Sequence, residues 1–276
     1  MAGTASRKGG SAIRQRTLIV TGAISTEQLI SYRRDGVVFP IRVFTPEETS
    51  SFRSALDAIV EEFEGEPLKR LGNLHLFFPW AYRLVTHHSL LNAIESVLGS
   101  NLLVDGTLVF YKRPHDSSYV SWHQDSVYSG WHLTPSASAW IALSHSDASN
   151  GCMRVIPGSH RLGQLTHVNV RDDANLVRRG ERVEEVDENA AVDVVLRPGE
   201  MSLHESTLVH GSKPNVSGEA RIGFIVRFVT SDVTNHDRLL LRVRGEADCS
   251  HLMLAKPPTR IDHGAALTAW RAAMAC

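Results

Sequence analysis

In the stretch Trp122-His123-Gln124-Asp125, an imidazole and a carboxylate stand two residues apart. On an extended strand such residues project from the same face. Side by side they supply two of the three ligands of a 2-His-1-carboxylate site, the arrangement that leaves open positions on a non-haem Fe(II) ion. The pair alone discriminates poorly: among the chain's 14 histidines a second His-x-Asp occurs at His145-Ser146-Asp147. A third ligand has to come from elsewhere. His210 offers one, because in Leu208-Val209-His210-Gly211-Ser212 it ends an apolar stretch and meets a turn, where a barrel strand would reach its mouth. Eleven residues on, Arg221 opens the most apolar strand of the chain, IGFIVRFV. A guanidinium there either snorkels outward or is buried to grip a carboxylate with its planar fork.

The rest of the sequence must build the elements that hold these groups. It has 276 residues, 42% of them hydrophobic, enough for a substantial core. Lys plus Arg number 29 against 30 Asp plus Glu, a formal charge of −1 that gives no global electrostatic reason to bind nucleic acid or an anionic membrane. No apolar stretch approaches the roughly 18 residues of a membrane helix. Cys152, Cys249 and Cys276 are odd in number and lack Cys-x-x-Cys spacing, so neither a disulfide framework nor a thiolate zinc site is supported, and a reducing cytoplasm fits best. Residues 1–16 are basic, small and polar without an apolar h-region, which reads as a disordered tail rather than a secretory signal.

From Ser25 the pattern is helical. Ser25 with Gln28 forms a capping box, and the helix should stop near Gly36. Thr45-Pro46-Glu47-Glu48 is a second start, followed by one helical face of Phe52, Leu56, Ile59 and Phe63 up to Gly65. A third amphipathic helix is expected from Ser89 to Leu98, with Gly99 as its stop. Residues up to about 100 are therefore mainly helical. Beyond them, Leu102–Lys112, Ser138–Leu143, Met153–Ile156, Asp193–Leu196, Met201–His204 and Arg221–Thr230 are short apolar segments separated by turn residues. Many short strands without helix-length periodicity predict a mainly β fold, a jelly roll packed against N-terminal helices. Residues 160–192 are too long and polar for a hairpin turn and read as a surface excursion near one mouth of the barrel. The expected organisation is a single domain over 17–276, with a helical part to about 100, a jelly-roll core over about 101–235 and a C-terminal extension over 236–276.

In order and spacing, five stretches resemble the phytanoyl-CoA dioxygenase family of Fe(II)- and 2-oxoglutarate-dependent oxygenases: YKRP at 111–114, SWHQDSVYSGW at 121–131, SAWIALSHSDASNGCMRVIPGSH at 138–160, RPGEMSLHESTLVHGSKPN at 197–215 and ARIGFIVRF at 220–228. RDGVV at 34–38 adds to the likeness. The resemblance implies a cupin-like double-stranded β-helix with iron held by His123, Asp125 and His210, and the distal carboxylate of 2-oxoglutarate paired with Arg221. It demotes His145 and Asp147, which fall where the family places no ligands. It also implies O₂ as the second co-substrate, release of succinate and CO₂, and hydroxylation of a small molecule at an unactivated C–H. Halogenases of the wider family replace the carboxylate ligand with Ala or Gly, so Asp125 favours hydroxylation, or a related desaturation or ring closure. A cupin-like metal protein without oxygenase activity is the rival reading.

Other residues have two readings each. Ser212 either hydrogen-bonds 2-oxoglutarate or caps a turn. Trp140 lines the co-substrate pocket or fills the core. Lys112 neutralises an anionic ligand or ends its strand in solvent. Arg227 shares a strand face with Arg221 and faces the pocket, toward substrate. His204, six residues before His210, is read as a satisfied polar residue beside the site. Tyr128 and Trp131 are walls of the substrate pocket or parts of a structural loop.

Overall fold

The computed structural model describes residues 22–63, 71–129, 135–177, 181–234, 238–259 and 262–274. The expected tail over 1–16, the stop at Gly65 and Trp131 lie outside them. Helix α1 (Thr26–Asp35) starts with the reciprocal Ser25–Gln28 box and ends at Gly36, whose φ of 77° is the left-handed conformation that glycine adopts without strain. Strand β1 (Val37–Arg42) follows, then α2 (Pro46–Glu61), with Thr45 and Glu48 capping each other and Pro46 in the first turn. Strand β2 (Leu71–Gly72) and helices α3 (Pro79–Val85) and α4 (His88–Leu98) complete the N-terminal part. Helix α4 begins one residue before the expected Ser89 because the His87 ring, through Nδ1, accepts the Ser89 N–H at 3.3 Å and takes the capping role.

The β-rich part comprises β3 (Leu102–Lys112), β4 (Val120–His123), a short helix α5 (Ser126–Ser129), β5 (Ser136–Ala142), β6 (Met153–Val155), β7 (His167–Asn169), β8 (Glu181–Val183), β9 (Val192–Asp193), β10 (Glu200–Glu205), β11 (His210–Ser212), β12 (Arg221–Thr230) and β13 (Leu241–Arg244). Helix α6 (His263–Met274) follows them. The larger sheet runs β1-β10-β5-β12-β3-β13, with β2 beside β3, and the smaller runs β4-β11-β6-β9. All their pairings are antiparallel, and the two sheets face each other as a double-stranded β-helix. The 160–192 segment contains the β7–β8 hairpin and contributes Val170, Asp172 and Leu176 to the wall of the interior cavity.

Alternation along β12 explains how one buried sheet serves two purposes. Ile222, Phe224, Val226 and Phe228 project outward into the main core, where they meet Phe52, Leu56, Ile59, Leu84, Leu90, Ile94 and Trp270 of the helices. Arg221, Gly223, Ile225 and Arg227 project inward. Gly223 has to lack a side chain, because a Cβ there would stand 2.2 Å from the Trp140 ring. Between the sheets, Trp140, Met153, Val155, Leu196 and Ile225 form a second, smaller cluster. Among the described residues no helix is long and apolar enough to cross a membrane.

Phe224 is fully buried with its ring edge toward Trp80, centroids 6.0 Å apart, so it ties the sheet to α3. Phe224→Ala is expected to lower stability by about 3–5 kcal/mol through lost transfer energy and a cavity. A shift of the urea unfolding midpoint measures it.

Candidate metal and co-substrate site

His123 closes β4 and His210 opens β11, and the two stand directly opposite in the antiparallel ladder. Their ring centroids are 4.2 Å apart. Asp125 completes a cluster in which the ligand atoms of all three residues lie within 4.8 Å of one another, and all three are buried. The strand argument from spacing holds only to His123: β4 ends there, and Asp125 sits in the turn that enters α5. The intervening Gln124 anchors that turn. Its side-chain amide donates to the carbonyls of Gly163 and Thr207, and its Oε1 accepts from the Leu165 N–H and the Gln164 amide.

Both imidazoles are locked the same way. His123 Nδ1–H donates to the Ser121 carbonyl at 2.8 Å and His210 Nδ1–H to the Leu208 carbonyl at 2.9 Å, two residues back in each case. That bond places the proton on Nδ1 and leaves the Nε2 lone pair to face the cluster. Burial pushes the pKa of both rings down, for His210 well below the ordinary value, with the neighbouring imidazoles adding to the effect there. Asp125 goes the other way on balance. Burial raises its pKa, but the Arg227 guanidinium, with His204 and the other imidazoles, outweighs this and holds the carboxyl well below its usual range. Two neutral imidazoles and an ionised carboxylate are the donor set a divalent transition ion requires, so the residues fit such an ion.

A second constellation lies two residues further along β11. Ser212 Oγ accepts from Lys112 Nζ at 2.7 Å, and Lys112 also donates to the Lys213 carbonyl. Arg221 donates to the Gly151 carbonyl at 2.8 Å and to Ser212 Oγ at 3.4 Å, and its guanidinium lies 5.4 Å from the centre of the Trp140 ring. Arg221 and Lys112 are 1% and 0% exposed. Lysine at a strand end in solvent is thus not what the fold makes of Lys112. Among the described residues no carboxylate pairs with either cation at ion-pair distance, and Arg221 Nε is buried without a hydrogen-bond partner. Burial and the adjacent guanidinium push the Lys112 pKa down to about 6, and burial lowers Arg221 to about 10. Charging both groups without a counter-charge is costly, so Lys112 gives up its proton near neutral pH unless an anion joins them.

Both constellations open on one cavity of about 1130 Å³. Its lining includes His123, Asp125, Trp140, His210, Ser212 and Arg221, and it extends past Arg227 to Asp105, Arg238 and Trp270. Asp105 is the residue that a bulge inserts in β3 opposite Arg227–Phe228, which turns its side chain inward, where Arg238 reaches it at 3.2 Å. Arg227 lines the cavity and donates to Asp125 Oδ1 at 3.0 Å. His204 is buried beside the cluster, yet neither of its ring nitrogens has a hydrogen-bond partner, so the expectation of a satisfied polar residue is corrected. Tyr128 lies on α5 and its side chain is outside the described set. His145 and Asp147 pair at 3.2 Å on an open turn, where Asp147 also accepts from Ser149 and Asn150. They take no part in the cluster. Sequence reading passed over Gln124 and Ser138, and over α6, whose Trp270 and Met274 reach the cavity. The only trace of Ser138 was its alternation with Trp140 on one strand face.

The sequence profile of the phytanoyl-CoA dioxygenase (PhyH) family matches residues 32–223. A probable alpha-ketoglutarate-dependent hypophosphite dioxygenase of Stutzerimonas stutzeri is 26% identical over 167 residues, 60% of this chain and 58% of that protein. An ectoine dioxygenase of Nocardia farcinica is 25% identical over 237 residues, 76% of this chain and 79% of that protein. The matches span about half to three-fifths of the length of the first curated relatives. Among solved structures, the apo form of the non-heme monooxygenase ThoJ superposes with a TM-score of 0.75 at 31% identity, covering 90% of this chain and 95% of that one.

The burial of Lys112 without a counter-charge has a measurable consequence. Its pKa is depressed on folding, so the unfolded chain binds more protons between about pH 6 and pH 10.5, and this residue's contribution to stability rises with pH across that window. Lys112→Met is expected to raise the melting temperature of the ligand-free protein at pH 7. The advantage should shrink toward pH 10, as followed by thermal unfolding in a pH series.

Proposed function

The chain belongs to the phytanoyl-CoA dioxygenase family, and from that premise we propose that it is a non-haem Fe(II)- and 2-oxoglutarate-dependent dioxygenase that hydroxylates an unactivated C–H of a small molecule. The observation that carries this reading is the pairing on β11 of His210, a member of the His-Asp-His cluster, with Ser212, two residues along the same strand face, whose hydroxyl accepts from both Lys112 and Arg221. That separation of roughly 6.6 Å suits a short dicarboxylate with one end at the metal and the other at the cations. His123, Asp125 and His210 would hold the iron, leaving adjacent positions for a 2-oxo acid and O₂. Iron in this setting supplies the coupling of 2-oxoglutarate decarboxylation, to succinate and CO₂, with oxidation of the substrate.

The chain's own residues do the positioning. Arg221 and Lys112 would neutralise the distal carboxylate, Ser212 shares their hydrogen bonds, and Trp140 walls the same end. Apolar Leu108, Phe110 and Ile225 together with polar Asp105 and Arg238 leave room for a substrate carrying both kinds of surface. A cupin-like protein holding a purely structural metal has no use for two buried basic side chains without a counter-charge, which weighs against that rival. Desaturation and ring closure are the alternative outcomes on the same scaffold. The reach of Trp270 and Met274 into the cavity supports reading residues 17–276 as one oxygenase domain with the C-terminal extension as part of its wall. Cys152 and Cys249 are free thiols, which supports a cytoplasmic location.

Anaerobic addition of Fe(II) and 2-oxoglutarate should produce a weak metal-to-ligand charge-transfer band in the visible; its absence at saturating co-substrate would sink the proposal. His123→Ala, Asp125→Ala and His210→Ala should each abolish succinate formation, whereas His145→Ala should leave it intact. Arg221→Ala should raise the KM for 2-oxoglutarate on the order of 100-fold or more, as expected for loss of one partner of a buried charge pair. Turnover against a metabolite library, with mass detection of a product heavier by one oxygen, identifies the substrate.

A further inference from the structure

One row of the larger sheet carries three polar side chains toward the cavity. Arg227 of β12, Ser138 of β5 and His204 of β10 stand opposite one another in register. The next inward-facing row, two residues along each strand, is Ile225, Trp140 and Ser202. All three members of the first row converge on one carboxylate from the opposite sheet. Arg227 donates to Asp125 Oδ1 at 3.0 Å, Ser138 Oγ donates to Oδ2 at 2.6 Å, and His204 Nε2 lies 3.7 Å from Oδ2. Asp125 lies beyond the end of β4, so the ladder that aligns His123 with His210 does not set its place.

We propose that the Arg227–Ser138–His204 row positions the Asp125 carboxylate and thereby sets the metal affinity of the site. The inference rests on the reading of His123, Asp125 and His210 as ligands and adds what holds the third of them. Arg227 and Ser138 each take a different oxygen, which fixes the plane of the carboxylate as well as its location. Both contacts are charge-assisted, and the short hydroxyl–carboxylate distance is of the strong kind. His204 is 1% exposed, with neither ring nitrogen hydrogen-bonded, and its Nε2 stands only a fraction of an ångström beyond an ordinary bond of about 3.0 Å to Oδ2. A buried polar group left without a hydrogen bond in a packed row calls for a role, and its neighbour Asp125 supplies one. The three are positioning residues, since they act through Asp125. Partners that orient metal ligands in this way are typically worth about 10–100-fold in metal affinity.

Co(II) is a suitable probe on the full chain, because its visible ligand-field spectrum reports coordination without turnover. Ser138→Ala and Arg227→Gln should each weaken Co(II) binding about 10–100-fold and alter the spectrum of the bound ion, with His204→Phe changing both in the same direction. Arg227→Lys should restore part of the affinity lost in Arg227→Gln. Ser202→Ala, which removes a buried hydroxyl from the neighbouring row, should bind Co(II) as the parent does. Unchanged affinity and spectrum in Ser138→Ala and Arg227→Gln overturn the inference, as does an equal loss in Ser202→Ala. If Arg227→Gln does not fold, Ser138→Ala decides by the same criterion. A parent protein that binds no Co(II) would instead overturn the ligand reading itself.

Discussion

The antiparallel pairing of β12 with β5 on one side and β3 on the other determines where each charged group of the interior stands. Because side chains alternate across a strand, the ladder sends Ile222, Phe224, Val226 and Phe228 to the helices and Arg221 and Arg227 to the cavity, six residues apart on one face. A slip of one residue would exchange these sets, placing two guanidinium groups in the apolar core and four large hydrophobic side chains in the site. The apolar face that docks the helices therefore also enforces the register that the chemistry needs. Gly223 belongs to the same constraint, since only its missing side chain admits Trp140 between the two arginine levels.

The interior that results is electrostatically unfinished. At one level, Arg221 and Lys112 are buried with hydrogen-bond acceptors but without an opposing carboxylate among the described residues. At the other, Asp125 is buried among imidazoles and held ionised by Arg227. Each level stabilises charge of the opposite sign to its own. A divalent cation at the carboxylate end and a dianion bridging both ends complete the balance, which is the physical content of the oxygenase proposal. Stability is given up for this: burying a charge without its partner is unfavourable, and the folded chain carries that strain in advance of any ligand.

The two histidines and the aspartate reach the cluster by different routes. His123 and His210 are neighbours in a ladder, so the register that joins β4 to β11 brings them together, and an identical Nδ1 bond to a carbonyl two residues back orients each ring. Asp125 comes from a turn and takes its position from the facing sheet and from the hydrogen bonds of Gln124. The site thus spans both sheets, and its third member is held by the contact between them.

By itself the sequence determined what local chemistry can specify. Ser25 and Thr45 set the starts of α1 and α2, Gly36 set a helix end, and the full length of β12 followed from its composition, because caps, glycine and β-branched runs act over a few residues. The resemblance of its motif stretches to a known family pointed to His123, Asp125, His210 and Arg221 and set aside His145. Strand β1 escaped notice because Phe39 and Pro40 interrupt its pattern, and α4 starts from His87, a residue outside the usual capping set. Only the tertiary structure decided that Lys112 is buried, that Arg227 and Ser138 turn on Asp125, that His204 stands beside Asp125 without a hydrogen bond, and that α6 walls the cavity. Each of these depends on which strands are neighbours and in what register, a property of residues up to about a hundred positions or more apart that no local window contains.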